Sequence, residues 1–176
     1  IFCQQLSVGH FREATIAPYS AFHCYLNIPD TAGRDSLFQS EARRCVNMIH
    51  TISNQPKTRH LCVFDELYSG TNPYEATACG TAFLRFLSRK RGVDFALTTH
   101  YTHLCHELEK EKNIENINME CIPVYNEDGC VVDHAYTFRK RKGISSHQGG
   151  IKVLRDLGYP EAVITDANSV IRSIAY

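Results

Sequence analysis

Hydrophobic and polar positions change their period repeatedly along this chain, and the changes mark out alternating strands and helices. Residues 61–64, Leu-Cys-Val-Phe, form a short unbroken apolar run, as expected of a central strand buried on both faces. Residues 93–98 supply another inner strand. Between the two, Ala76, Cys79, Phe83, Phe86 and Leu87 recur at helical spacing. Strand, helix and strand at this separation form a βαβ crossover, which makes the two strands parallel and neighbouring or nearly so. Asn72 can cap the helix, Pro73 suits its first position, and Glu75 stands three residues past the cap. Gly92 stops it after Arg89-Lys90-Arg91, whose charges suit its negative end.

Upstream, Ser36-Leu37-Phe38-Gln39 opens a helix with a capping-box pattern. Phe38, Ala42, Cys45, Val46 and Ile49 continue down one face until the helix ends near residues 50–53. Residues 14–26 read as a strand, a turn at Pro18 and a second strand. Downstream come a polar helix over 102–112, strands at 116–122 and on either side of Asp128-Gly129, a hairpin signal, and helices over 150–157 and 160–174. The fold class is α/β, layered around a mainly parallel central sheet, with a C-terminal hairpin and helices. Ligands of open α/β sheets bind outside the carboxyl ends of the strands, here the ends of 61–64 and 93–98.

At 176 residues, with 43% hydrophobic and 22% charged, the chain is long enough for one ordinary globular domain. Nineteen basic residues cancel nineteen acidic ones, which excludes nucleic-acid binding by bulk charge. The one dense basic run, Arg139-Lys140-Arg141-Lys142, reads as a solvated strand end. Eight cysteines without a Cys-x-x-Cys read as free buried thiols of a reducing compartment. There is no run of about 20 apolar residues, so neither a membrane span nor secretion is expected. An intracellular setting follows: cytoplasmic, nuclear, mitochondrial or viral.

The chemistry is concentrated where the strand at 61–64 runs into Asp65-Glu66. Removing a carboxylate from water costs several kcal/mol unless it is paired, hydrogen-bonded or bound to a metal. Two adjacent ones ask for a cation. The pattern has the form of a Walker B motif, in which Asp65 holds Mg²⁺ and Glu66, pointing to the other side, orients the attacking water. The bland alternative is a pair of carboxylates capping the next turn. Ser69-Gly70-Thr71-Asn72 then make a tight polar turn, and His100 follows the next parallel strand at the same sheet edge. Ser36 places a hydroxyl beside free N–H groups at a helix N-terminus, suited to a γ-phosphate and equally to a simple cap. His100, His103, Cys105 and His106 invite a zinc reading, but their spacing crowds two ligands together and lacks a second half.

At these residues the chain resembles the ATPase domain of MutS DNA mismatch recognition proteins, within the ABC class of P-loop NTPases. The resemblance rests on Phe64-Asp65-Glu66, Ser69-Gly70-Thr71, the helix over 73–90 and Thr99-His100-Tyr101. It extends to a signature segment over 30–41 and a tail from Gly143 to Ile164. The wording Arg34-Asp35-Ser36-Leu37-Phe38-Gln39 and the run over 68–76 look most like the divergent branch carried by large DNA viruses and some mitochondria.

The resemblance implies ATP and Mg²⁺ as ligands, Asp65 on the metal, Glu66 and His100 as catalytic residues, and Ser69, Gly70 and Thr71 beside the nucleotide. It further implies that Ser36 reaches the nucleotide of the opposite subunit of a homodimer or MutS-like heterodimer, and that DNA is engaged through domains outside these residues. Gln4 or Gln5 corresponds loosely to a nucleotide-sensing glutamine. Two departures stand out. No Gly-x-x-x-x-Gly-Lys-Ser/Thr occurs, and the signature reads Gly33-Arg34-Asp35-Ser36 instead of Ser-Gly-Arg-Ser. The expectation is therefore that residues 1–176 are the later part of a MutS-like ATPase domain, without its upstream phosphate loop and final dimerisation helices. The alternatives are another ABC-type DNA ATPase of the Rad or SMC kind, and a non-catalytic dimerisation or DNA-clamp module on the same fold.

Overall fold

A computed structural model describes residues 13, 15, 17–26, 36–125, 131–147 and 149–174. Backbone contacts divide the chain into two compact units, residues 1–115 and residues 116–176.

The first unit holds three parallel strands. The central one, β2 (His60–Asp65), pairs with β1 (Ala21–Tyr25) on one side and β3 (Val93–Thr98) on the other. Cys62 and Phe64 are fully buried, as the unbroken apolar run predicts. β3 is parallel to β2 as expected but flanks the described sheet, with Asp94, Ala96 and Thr98 exposed, so its two-sided burial is not observed. The expected pair of strands over 14–26 reduces to β1 among the described residues. Ser20 N and Ala21 N both donate to Arg59 O, and only from Ala21 onward does the ladder with β2 form.

Helix α1 (Leu37–Asn54) begins at a complete capping box. Gln39 N donates to Ser36 Oγ, and Ser36 N donates to Gln39 Oε1. Its buried face is Glu41, Cys45, Met48 and Ile52, whereas Val46, predicted to face inward, is 43% exposed. Helix α2 (Pro73–Ser88) is capped by Asn72, whose Oδ1 accepts from Glu75 N at 3.0 Å. Leu84 joins Ala76, Phe83 and Leu87 in the core, while Cys79 and Phe86 are only half-buried. After α2, Gly92 takes φ +80 and returns the chain to β3. The polar helix α3 (Thr102–Leu108) is four residues shorter than its predicted end at residue 112. Aromatic rings lock these pieces together: Tyr25 against Phe64, Phe64 edge-on to Phe83, Phe83 to Tyr68, and Tyr68 to Phe38.

The second unit is an antiparallel hairpin, β4 (Ile117–Tyr125) and β5 (Val131–Lys142), with helices α4 (Gly150–Asp156) and α5 (Glu161–Ile174). The turn at Asp128-Gly129 lies outside the described residues. Arg139, Lys140, Arg141 and Lys142 are exposed at the end of β5, where Arg141 pairs with Glu120. The basic run is thus a solvated strand end. No helix of the described residues is long and apolar enough to cross a membrane.

Of the cysteines, Cys45 and Cys62 are buried, and burial pushes their thiols up to about 11 and about 12. Cys24 is exposed, contrary to the expectation of uniformly buried thiols, while Cys3 and Cys130 lie outside the described residues. Mass mapping after brief alkylation of the native protein should find Cys24 modified and Cys45 and Cys62 protected until denaturant is added.

His23 Nε2 lies 3.0 Å from His60 Nδ1, and His60 Nε2 lies 3.3 Å from Gln55 O. His60 therefore donates to the carbonyl and accepts from His23. Burial, and then the facing His60, hold the His23 imidazole below its usual range. The unfolded chain takes up this proton at higher pH than the folded one, so stability is full above the ordinary histidine value of about 6.5 and falls as pH drops below it. Urea midpoints compared at about pH 7.5 and about pH 5.5 should show that loss, and His23→Phe should reduce it.

Candidate functional site

Parallel pairing of β2 and β3 sets Asp65 opposite Thr98 at the carboxyl ends of both strands. Thr98 Oγ1 donates to Asp65 Oδ1, which orients the carboxylate while leaving it exposed. One residue on, Glu66 N donates to Thr98 O at 3.0 Å, and the backbone turns sharply, with Glu66 at φ +51. That turn sends the Glu66 side chain to His100, where Oε1 lies 3.2 Å from Nε2. Both groups face solvent, at 53% and 91% exposure, so they are accessible to a ligand and a water. Asp65, Glu66 and His100, three residues predicted from the sequence, thus meet at one sheet edge.

The loop that follows is held from below. Leu67 and Tyr68 are buried in the core, Tyr68 at φ +62. Glu41 of α1, only 2% exposed, receives the next two residues: its Oε1 accepts from Ser69 N at 3.0 Å and Ser69 Oγ at 3.1 Å, and its Oε2 accepts from Gly70 N at 3.1 Å. A Cβ on Gly70 would stand 2.6 Å from Phe38 N and 2.8 Å from Leu37 Cγ, so only glycine lets the loop lie this close to the first turn of α1. Thr71 Oγ1 and Asn72 Nδ2 both donate to Glu75 Oε2 at 2.7 Å. Ser69, Gly70 and Thr71 are therefore fixed residues, with Ser69 N, Ser69 Oγ, Gly70 N and Thr71 Oγ1 turned toward the protein.

Ser36 caps the helix that carries Glu41. Its Oγ accepts from Gln39 N at 3.2 Å, which uses a lone pair, and among the described residues the O–H meets no acceptor. The residues over 27–35 and Gln4 and Gln5 lie outside the described residues. His103, Cys105 and His106 sit on α3, where His106 Nδ1 is 3.5 Å from Glu109 Oε2.

Sequence reasoning missed Glu41. A signal was present: positions 38, 41, 45, 48 and 52 follow the helical spacing, and Glu41 is the one charge in that stripe. Among the described residues no three His, Cys, Asp or Glu side chains converge as ligands. An exposed, hydrogen-bonded Asp65 still fits magnesium, which keeps several waters and is commonly held by one or two carboxylates plus substrate phosphate.

The family model described as MutS domain V matches residues 7–175. This chain belongs to the MutS family. Among relatives of this MutS chain, the DNA mismatch repair protein MSH3 of Scheffersomyces stipitis is 29% identical over 168 residues, covering 93% of the chain and 16% of the relative. The DNA mismatch repair protein MutS of Methanosarcina barkeri is 30% identical over 149 residues, covering 82% and 15%. That of Aquifex pyrophilus is 28% identical over 126 residues, covering 72% and 14%. The chain therefore spans about a sixth or less of the length of these MutS relatives.

The cap and any ligand role of Ser36 separate experimentally. Ser36→Ala in this MutS domain should cost about 1 kcal/mol of unfolding free energy through loss of the N-cap alone, measured by denaturant titration without nucleotide.

Proposed function

We propose that this chain supplies the hydrolytic edge of a Mg·ATP site in a protein that couples ATP hydrolysis to DNA mismatch recognition and repair. The observation that carries the reading is the 3.2 Å approach of Glu66 to His100 beside Asp65, across the carboxyl ends of two adjacent parallel strands. Phosphoryl transfer is catalysed mainly by positioning and charge neutralisation, so a metal carboxylate, a water-orienting carboxylate and an imidazole at one edge are the parts it needs. Asp65 would hold magnesium, with Thr98 fixing its rotamer. When bound, the metal neutralises charge developing on the transferring phosphoryl group. Glu66 would orient the attacking water, and His100 would read the γ-phosphate while holding Glu66 in place. Ser69, Gly70 and Thr71 would shape the wall of the cleft beside the nucleotide.

The 176 residues hold no Gly-x-x-x-x-Gly-Lys-Ser/Thr, so in this proposal the phosphate loop comes from sequence outside them. Ser36, exposed at the start of α1, would serve the nucleotide of a second subunit in a homodimer or a MutS-like heterodimer. DNA would be engaged by other domains, in keeping with the near balance of charge here and with the mismatch-repair names of the relatives. The divergent branch of large DNA viruses and some mitochondria is the proposed place of the chain within the family, on the wording over 34–39 and 68–76. An intracellular setting goes with that role.

Glu66→Gln in the full-length protein keeps the shape and removes the charge that orients water. Its kcat for ATP should fall at least about 100-fold, while nucleotide affinity, read by equilibrium binding, stays within about 3-fold. Turnover at the wild-type rate would remove the assignment.

A further inference from the structure

Glu41 is a buried carboxylate outside the catalytic edge, and it takes no part in the chemistry assigned to Asp65, Glu66 and His100. Such a group costs several kcal/mol to desolvate, and it is tolerated because three donors converge on it. These three donors belong to Ser69 and Gly70, which follow Glu66 by three and four residues, and the Tyr25 hydroxyl also lies beside the carboxylate. Between lies a backbone that two non-glycine residues, Glu66 and Tyr68, traverse in the left-handed region. Left-handed backbone at such residues is unfavourable and persists only where the surroundings over-determine it. One end of this stretch is pinned by Glu66 N on Thr98 O, and the middle by the buried side chains of Leu67 and Tyr68. The other end is pinned by Glu41.

We infer that Glu41 is a positioning residue for the proposed hydrolysis: its carboxylate locks Ser69 and Gly70, and so fixes the turn that aims Glu66 at His100. The inference rests on the Mg·ATP reading of the Asp65-Glu66 edge. Residue type matters here. Only a carboxylate accepts at both of its oxygens, whereas glutamine would present an N–H₂ group to one of the backbone N–H groups. Distance matters as well, because aspartate is shorter by one methylene. Gly70 completes the lock by letting the loop lie against Leu37 and Phe38.

The test is Glu41→Gln in the full-length protein, with Gly70→Ala as a second variant that pushes the same loop off α1 without touching Glu41. For each, kcat should fall roughly 10- to 100-fold, the scale of a misplacement of about 1 Å; in Glu41→Gln the KM for ATP should stay within about 3-fold and the melting temperature within a few degrees. Hydrogen exchange at the Ser69 and Gly70 amides should accelerate in Glu41→Gln. Wild-type kcat in both variants overturns the inference. In Glu41→Gln, a loss of kcat matched by a collapse of melting temperature and a rise in KM also overturns it, since it marks a merely structural carboxylate. Glu66→Gln serves as the control: retained turnover there defeats the hydrolytic reading itself, whereas loss of turnover there with none in the Glu41 and Gly70 variants defeats only the positioning role.

Discussion

The contact between the Glu41 carboxylate and the Ser69-Gly70 backbone is the constraint on which the surroundings of the site depend. Hydrogen bonds to a charged group contribute about 1.5–3 kcal/mol each, and losing them would leave a buried anion without compensation. Helix α1 therefore cannot slide or rotate without exposing or orphaning that charge. Its register is doubly set, because Cys45, Met48 and Ile52 continue the same stripe into the core. Ser36, five residues before Glu41, inherits this placement. The capping box then fixes the end of the helix, so the exposed hydroxyl sits on a rigid element instead of a frayed turn.

The core supplies what the left-handed turns cost. At about 1–2 kcal/mol for each such residue, Glu66 and Tyr68 together draw on a meaningful fraction of the stability of a domain this size. Tyr68 offsets its share by packing between Phe38 and Phe83, and Leu67 by nearly complete burial. The strain is thus held by the aromatic chain that joins β1, β2, α1 and α2. A carboxylate leaving a strand in the ordinary extended conformation would continue along β2. The positive φ at Glu66 instead brings its side chain to the residue that follows β3, and the parallel register of β2 and β3 puts that residue within reach.

How legible all this was in the sequence depends on how local each cause is. The cap at Asn72, the capping box at Ser36, the buried strand at 61–64 and the parallel crossover follow from neighbouring residues and from chain direction, and the structure shows each of them. The meeting of Asp65, Glu66 and His100 was also legible, because strand ends of a parallel sheet share an edge. Faces were harder. Val46 and Glu41 are both compatible with the apolar stripe of α1, and hydrophobicity alone selects valine; the observed helix exposes Val46 and buries the acid. The one strand found among the described residues of 14–26 likewise depends on its pairing with β2 elsewhere in the chain.

Glu41 marks the limit of reading by pattern, for a physical reason. A charged residue within a buried stripe is anomalous on its own, and the anomaly is resolved only by donors 28 and 29 residues away. Those donors are chiefly backbone N–H groups, which every residue but proline carries and no side-chain pattern advertises. Even the hydroxyl of Ser69 reads equally well as a turn residue or a phosphate ligand until its partner is known. The glycine at position 70 is the remaining clue, and it too has two explanations, turn freedom or close approach. Its contacts with Leu37 and Phe38 decide for close approach. Once that packing is seen, the acid on the same helix face gains its reason, because a loop pressed against α1 brings its amides down onto the helix, where the Glu41 carboxylate accepts them.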